Sequence, residues 1–390
     1  MSVNTEALYA HPGSWVSAEG LIEVPYDLER NEAAHVSSAS PAPAKRVLAA
    51  AATAAAGIRA DCPYPLTEHP NVYNAAHARY TLPVGEARRI HVVNAMGVVL
   101  GDSIVGLSVL RWLRDAQPHL ELTLYRPATS PDYVEHLYRL AAGIVGEIRQ
   151  LPWPVAAIPA GEPIVDIGNI VYWPRFSTQP MIDVFCEAMG LDPAQVPASA
   201  KTNRWLAELA LPALPEAWRA RPYVLFSPAA STPIRRIPRA FWHRWIDRLW
   251  DAYGLPVLGF VDIDHPRFVD LRDQAPDTSN FLMWIKHAQA MVTADSAAVH
   301  AAAGFDIPTT AIFTTIDPVL RVRDYPRCTP VDLAIEELRG LHSSDLARHV
   351  TLVERAWQDG NLEAMPLPAL PDAVLNTGAD GGMPTIPPAR

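Results

Sequence analysis

Cysteine is scarce in this 390-residue chain: three residues, Cys62, Cys186 and Cys328, too far apart for a disulfide framework or a CxxC metal site. That usage fits a reducing cytoplasm. Charge is also thin, at 19% of residues, and no basic excess exists: the net charge is −10 and the pI near 5.7, which argues against nucleic acid as a partner. An anion site would have to be local. No apolar run reaches the roughly eighteen residues that a bilayer span needs, and MSVNTEALYAHPGSW lacks the charged and apolar regions of a signal peptide. The expectation is a soluble, cytoplasmic protein without a membrane span, with peripheral membrane contact left open. Walker, GxGxxG, HExxH and GxSxG motifs are all missing, which weakens NTPase, dinucleotide, zinc-protease and α/β-hydrolase readings.

What remains is a globular composition, 49% hydrophobic with 38 prolines, long enough for two ordinary domains. Residues 1–88 read as a peripheral extension, in which SSASPAPAKRVLAAAATAAAG joins a Pro/Ala/Ser linker to an Ala-rich segment. From Arg89 the texture alternates. IHVVNA (90–95) and LELTLY (120–125) read as strands; SIVGLSVLRWLRDA and PDYVEHLYRLAAGIV read as helices. EPIVDIG reads as a strand end, and QPMIDVFCEAMGL as a helix closing at Gly190.

A second alternation follows, with strands YVLFSP (223–228), LPVLGFV (255–261), MVTA (291–294) and TTAIF (309–313). Helices are expected over PRAFWHRWIDRLWDAYG, HPRFVDLRDQA, DSAAVHAAAG and SSDLARHVTLVERAWQDG, the last capped by Ser343 or Ser344 with Leu346, Val350, Val353 and Trp357 on one stripe. The domains are therefore expected at 89–215 and 216–360, with 361–390 a disordered Pro/Gly-rich tail. Parallel α/β units bind ligands at the carboxyl ends of their strands, here in a cleft between domains.

Three strand-to-helix loops carry candidate chemistry. AMGVVLGDS contains Gly101 and Asp102, and Asp102 is either a helix N-cap or a general base that takes a proton from a hydroxyl. SPAASTPIRRIP carries Arg235 and Arg236 before a helix start, a pair suited to gripping a diphosphate or simply a solvated charge pair. TADSAAVHAAAG offers Asp295, Ser296, Ala297 and His300: amides and a hydroxyl for an anion, or a capping Asp295 and a satisfied helix histidine. Beside a phosphate, Asp295 fits better as a cap or a sugar-hydroxyl ligand. The DxD of VDIDHP, Asp262 and Asp264, reads as a turn.

Taken in order, these loops resemble the heptosyltransferase family of glycosyltransferases (family nine), over about residues 89–330. Gly101-Asp102 with Leu107, Leu110 and Arg111 matches the family's first loop, Arg235-Arg236-Ile237-Pro238 stands in the place of KxWP, Asp295-Ser296-Ala297 with His300 in that of DTGxxH, and Phe313 to Pro318 in that of FGPTDP. Arg235 replaces the usual lysine and Ala297 the usual glycine. A second register places the family's MGD at Met96-Gly97, where Val98 follows instead of an acid.

The resemblance implies a two-domain GT-B fold and an inverting, metal-independent transfer without cofactor, from a nucleotide-diphosphate sugar, ADP-heptose foremost, to lipopolysaccharide core or a protein serine. It implies Asp102 as base, with Arg235, Arg236 and the amides at Ser296 and Ala297 on the diphosphate, supported by His300. One branch of the family, which modifies autotransporter proteins, also has a long leading extension, but its C-terminal cysteine cluster for iron has no counterpart here, where Cys328 stands alone beyond Cys186. The alternatives are a non-catalytic sugar-nucleotide-binding or assembly protein of the same fold, and a sugar-nucleotide epimerase.

Overall fold

The computed structural model describes residues 13–17, 19–23, 64–76, 79–83, 85, 87–97, 99–128, 130–168, 170 and 173–370. The Ala-rich segment and residues 371–390 lie outside them. The chain divides into two compact units between Pro197 and Ala198, earlier than the boundary expected at 215. Each unit is built on a parallel sheet with helices, the α/β class that the alternating pattern predicts.

In chain order the strands of the first unit are β1 (Trp15–Val16), β2 (Leu21–Glu23), β3 (Tyr64–Pro65), β4 (Val72–Tyr73), β5 (Arg89–Val93), β6 (Glu121–Pro127), β7 (Glu147–Leu151), β8 (Trp153–Pro154) and β9 (Ile164–Asp166). The main sheet has the order β4-β9-β5-β6-β7, all parallel. From β5 the chain winds outward through β6 and β7, then returns to the other side of β5 as β9. The order therefore reverses between β5 and β9, and the loops after those two strands flank a ligand crevice of the kind such reversals create. Helix α1 (Leu100–Ala116) follows β5 and buries Ile104, Leu107, Leu110 and Leu113, which recur at helical spacing.

The described residues of the leading segment pack into the first unit. Its strands β1, β2 and β3 join β8 in a four-stranded antiparallel sheet, β4 forms an edge of the main sheet, and Trp15, Val16, Ile22 and Leu66 are core residues. A buried carboxylate fixes this arrangement. Asp166, at the end of β9, accepts from Ser14 N (2.8 Å), Ser14 Oγ (2.7 Å), Gly168 N (2.9 Å) and Asn74 Nδ2 (3.1 Å). Burial pushes its pKa up, and these four donors oppose that rise. A short Ser-containing segment is thereby anchored where sequence periodicity offers no signal.

The second unit has strands β10 (Val224–Ser227), β11 (Val257–Gly259), β12 (Phe268–Asp270), β13 (Ala290–Ala294), β14 (Thr309–Phe313) and β15 (Cys328–Asp332). They form one parallel sheet in the order β12-β11-β10-β13-β14-β15, which reverses between β10 and β13. The expected helix over 265–275 is instead β12 and a short 3-10 turn, because Phe268 and Val269, adjacent and both buried, complete the sheet edge as a strand. The helix expected from Ser343 begins at Ala347 after Leu346, which is 47% exposed, and Ser344 Oγ accepts from Leu346 N outside it. The stripe therefore buries Val353 and Trp357 but not Leu346.

The expected tail is ordered as far as Leu370: Leu362, Met365 and Leu370 belong to the main core of this unit, and Thr310 Oγ1 donates to Pro366 O (3.0 Å). Prolines there set an extended path and remove backbone donors, which leaves free carbonyls for side chains to find.

Asp166→Ala leaves Ser14, Gly168 and Asn74 donors buried without an acceptor. The expected loss is about 4 kcal/mol or more, since four orphaned donors cost about 1–3 kcal/mol each, read as a lowered urea midpoint and as early proteolysis within residues 13–23. An unchanged midpoint would show that the leading segment is not held by this carboxylate.

Candidate functional site

The loops after β10 and β13 meet where the second sheet reverses. Between Ser227 and the helix α2 (Trp242–Tyr253), the chain makes a 3-10 turn over Pro233–Arg235 that buries Ile234 and turns Arg235 inward. Arg235 Nη1 reaches Asp295 Oδ2 at 3.2 Å and Nη2 donates to Ser231 Oγ at 2.8 Å, whereas Nε is buried with no hydrogen-bond partner. Thr314 Oγ1 donates to Ile234 O (2.5 Å), and Thr232 Oγ1 donates to Ser344 O (3.0 Å), so the loop is braced from two further segments.

Asp295 is 2% exposed. Burial alone would raise its pKa, but the charges of Arg235 and then Arg321 hold it below the ordinary carboxylate range. Arg321 lies in the short helix Val319–Val322 that follows β14, is also buried, and its Nη2 lies 3.1 Å from His342 Nδ1. A guanidinium only donates, so Nδ1 accepts and this imidazole is neutral. Burial, then the charges of Arg321 and Arg235, push the His342 pKa down to about 4.

His300, on the helix α3 (Ala297–Gly304), has its pKa pushed by burial down to about 3. Its Nδ1 lies 2.7 Å from Tyr325 Oη, and Asn203 Nδ2 donates to that oxygen at 2.8 Å and to His300 O at 3.0 Å. With Asn203 donating to the tyrosine oxygen, the phenol proton goes to Nδ1, an assignment made from the network that puts the imidazole proton on Nε2. Gly304 makes this possible: a Cβ there would stand 2.6 Å from Asn203 O, so only glycine admits the close approach.

The cluster thus contains two guanidiniums, one carboxylate and two imidazoles kept neutral. It is suited to a compact anion, which two guanidiniums attract and which Asp295 only partly offsets.

Several expected roles change. Arg236 is exposed, and its Nε donates to Ala230 O at 2.9 Å, so the second guanidinium of the cluster is Arg321 rather than Arg236. Asp295 is not a cap: Ser296 is the N-cap, accepting from Ala298 N at 3.3 Å, because its backbone is extended while Asp295 is committed to Arg235. Ala297 is the first helical residue, half-buried beside it. Asp262 is paired with Arg272 (3.3 Å), and among the described residues no group of three or more His, Cys, Asp or Glu could hold a metal. Arg321, His342, Asn203 and Tyr325 carry no motif, and only the isolated polar residues within apolar stretches hinted at them.

In the first unit, α1 starts at Leu100, so Gly101 and Asp102 lie inside its first turn; Val99 is the N-cap and makes no side-chain capping bond. Asp102 is therefore not a cap, although a carboxylate in the first turn is favoured by the helix dipole. It is half-buried and packs over Gly97, where an added Cβ would lie 3.4 Å from Asp102 Cβ. Both sequence registers, Met96-Gly97 and Gly101-Asp102, thus describe one place.

The loop itself is tightly held. Arg126, fully buried, donates to Ala95 O and to Gly97 O (2.8 Å), Tyr138 Oη donates to Ala95 O (2.8 Å), and Ser103 Oγ donates to Met96 O (3.3 Å). Asn94 and Met96 have φ near 56° and Gly97 has φ 75°, a left-handed path that side chains other than Gly and Asn resist.

His300 and His342 have folded pKa values of about 3 and about 4, below the ordinary 6.5. As pH falls below 6.5 the unfolded chain takes up protons that the folded chain refuses, so stability is complete above pH 6.5 and declines toward pH 4.5, by about 1.4 kcal/mol per pH unit for a fully excluded proton. His342→Gln is expected to flatten the decline measured by urea melts across that window. An unchanged slope would show that His342 titrates normally.

No protein-family model matches the chain, and no curated protein matches it. Among solved structures it is similar to Escherichia coli ADP-heptose lipopolysaccharide heptosyltransferase II, at 14% identity over 69% of this chain and 98% of that one, with a TM-score of 0.45. It is similar to the iron-containing dodecameric glycosyltransferase TibC of enterotoxigenic E. coli, at 14% identity over 64% of this chain and 63% of that one, TM-score 0.43. It is also similar to a family 9 glycosyl transferase of Veillonella parvula, at 13% identity over 70% of this chain and 95% of that one, TM-score 0.42.

Proposed function

We propose that this protein is an inverting glycosyltransferase of the heptosyltransferase family and of the GT-B fold, moving a heptose from ADP-heptose to a hydroxyl of lipopolysaccharide core or of a protein serine. The observation that carries the reading is the cluster of half-buried Arg235 with buried Asp295 and Arg321 at the strand-order reversal of the second sheet. Such a position is where doubly wound sheets take nucleotides, and two guanidiniums there suit a diphosphate. The ordered matches at Gly101-Asp102, Arg235 to Pro238, Asp295 to His300 and Phe313 to Pro318 narrow that chemistry to this family.

In this reaction the acceptor hydroxyl attacks the anomeric carbon, its proton passes to Asp102, and the bond to the diphosphate oxygen breaks with inversion. Arg235 and Arg321 stabilise the negative charge that grows on the leaving diphosphate, and the amides at Ser296 and Ala297 add to their field. Asp295 fixes Arg235 in place and takes no proton, consistent with a pKa held low. His300, neutral and anchored by Tyr325, offers its Nε2 proton as a donor at the same cluster. Neither metal nor cofactor has a role in this scheme, which is placed in the cytoplasm.

ADP is expected to raise the melting temperature of the wild type, by an amount that Arg235→Met largely abolishes. With ADP-heptose and lipopolysaccharide core, Asp102→Asn is expected to lower kcat by roughly 10²–10⁴ while ADP affinity stays within about twofold. An Asp102→Asn enzyme at full rate would remove Asp102 as base, and a wild type that binds ADP-sugar without turnover would favour a non-catalytic binding protein.

A further inference from the structure

His300 enters the scheme above through a single proton, the one on Nε2, and the place of that proton is set from outside the charged cluster. Asn203, Tyr325 and His300 close a ring of hydrogen bonds: Asn203 Nδ2 reaches His300 O (3.0 Å) and Tyr325 Oη (2.8 Å), and Tyr325 Oη lies 2.7 Å from His300 Nδ1. All three side chains are buried, and Asn203 holds a left-handed backbone, φ 59°, that few residues other than asparagine and glycine adopt.

One member of the ring fixes the polarity of the rest. A backbone carbonyl only accepts, so the amide atom that faces His300 O is the nitrogen, and the same nitrogen donates to Tyr325 Oη. Burial pushes the Tyr325 pKa up, so the phenol keeps its own proton. Were Nδ1 to donate to Oη as well, that proton would be buried without an acceptor, because Asn203 Nδ2 and His300 Nδ1 are the hydrogen-bond partners of Oη among the described residues. Nδ1 therefore accepts, and the imidazole proton sits on Nε2.

The cluster does not make this choice by itself. The charges around the ring are of both signs, Asp295 against Arg321 and Arg235, and Nε2 makes no hydrogen bond with the described residues. Nor is Nε2 sealed off: Arg235 Nε is fully covered without a partner, whereas Nε2, also without one, keeps a share of the 3% exposure of its residue. A neutral imidazole presents either a proton or a lone pair there, and only the proton is compatible with a phosphate oxygen.

We infer that Tyr325, oriented by Asn203, is a positioning residue that holds His300 in the Nε2–H tautomer, so that a donor and not a lone pair meets the diphosphate of the nucleotide sugar. This deepens the proposed function and rests on it for the diphosphate.

The test is a long-range proton–nitrogen correlation spectrum of protein labelled at its histidine nitrogens, recorded for wild type and Tyr325→Phe with and without ADP, beside calorimetric ADP titrations of both. His300→Gln identifies the resonances by removing them. The expected wild-type spectrum has Nε2 protonated and Nδ1 bare, and ADP moves Nε2 more than Nδ1. In Tyr325→Phe the two tautomers are expected to mix, and ADP affinity to weaken by the reciprocal of the remaining Nε2–H fraction, about twofold or more. A proton on Nδ1 in the wild type would overturn the inference, as would a Tyr325→Phe protein with the wild-type pattern, or one with mixed tautomers and full ADP affinity. The wild-type spectra need no substitution, so they decide even where Tyr325→Phe fails to fold: ADP that binds without moving Nε2 also overturns the inference. A wild type that does not bind ADP would contradict the proposed function and the role at the diphosphate with it, while its ligand-free spectrum would still judge the tautomer.

Discussion

The second unit is organised by one ion pair, half-buried Arg235 with buried Asp295, where its sheet changes direction. Burying a guanidinium and a carboxylate together costs desolvation that their attraction repays only when both are well positioned. The surroundings supply that positioning: Thr314 and Thr232 brace the Arg235 loop, Ser296 takes the capping role that would otherwise compete for Asp295, and Arg321 adds a second positive charge. The same field and burial keep His300 and His342 neutral, so the cluster presents donors and positive charge without further protonation. Arg236 is excluded by the same geometry, since a 3-10 turn that aims Arg235 inward sends its neighbour to the surface.

The first unit meets a comparable constraint by different means. Its loop after β5 is forced through left-handed conformations at Asn94, Met96 and Gly97, and a buried arginine and a tyrosine hold its carbonyls. Asp102 is presented by the rigid first turn of a long helix rather than by the loop, a placement that limits how far the carboxylate wanders. Each unit therefore places its polar residues at the reversal of its own sheet, where neighbouring loops diverge and leave room.

Much of the architecture was legible because buried parallel strands read as apolar runs: IHVVNA, LELTLY, YVLFSP and TTAIF all fall on observed strands. Edge strands were not legible. EIRQL (147–151) and FVD are half-polar or very short, and YP, WV and LIE are two or three residues each, too short for an alternating pattern to show. The segment to Leu370 is not legible because proline richness accompanies both disorder and an extended, packed path, and here Leu362, Met365 and Leu370 enter the core. At the site, Arg235, Asp295 and His300 were named from loop position and do come together. Their partners Arg321, His342, Asn203 and Tyr325 come from distant segments that no local spacing connects.

The central claim is that Arg235 and its cluster hold a diphosphate, and phosphorus NMR of ADP tests it most directly. Titrated with wild-type protein, the β-phosphate resonance is predicted to shift and broaden more than the α-phosphate, and Arg235→Met is predicted to remove that difference. A β-phosphate that responds equally to both proteins, or not at all to the wild type, would contradict it.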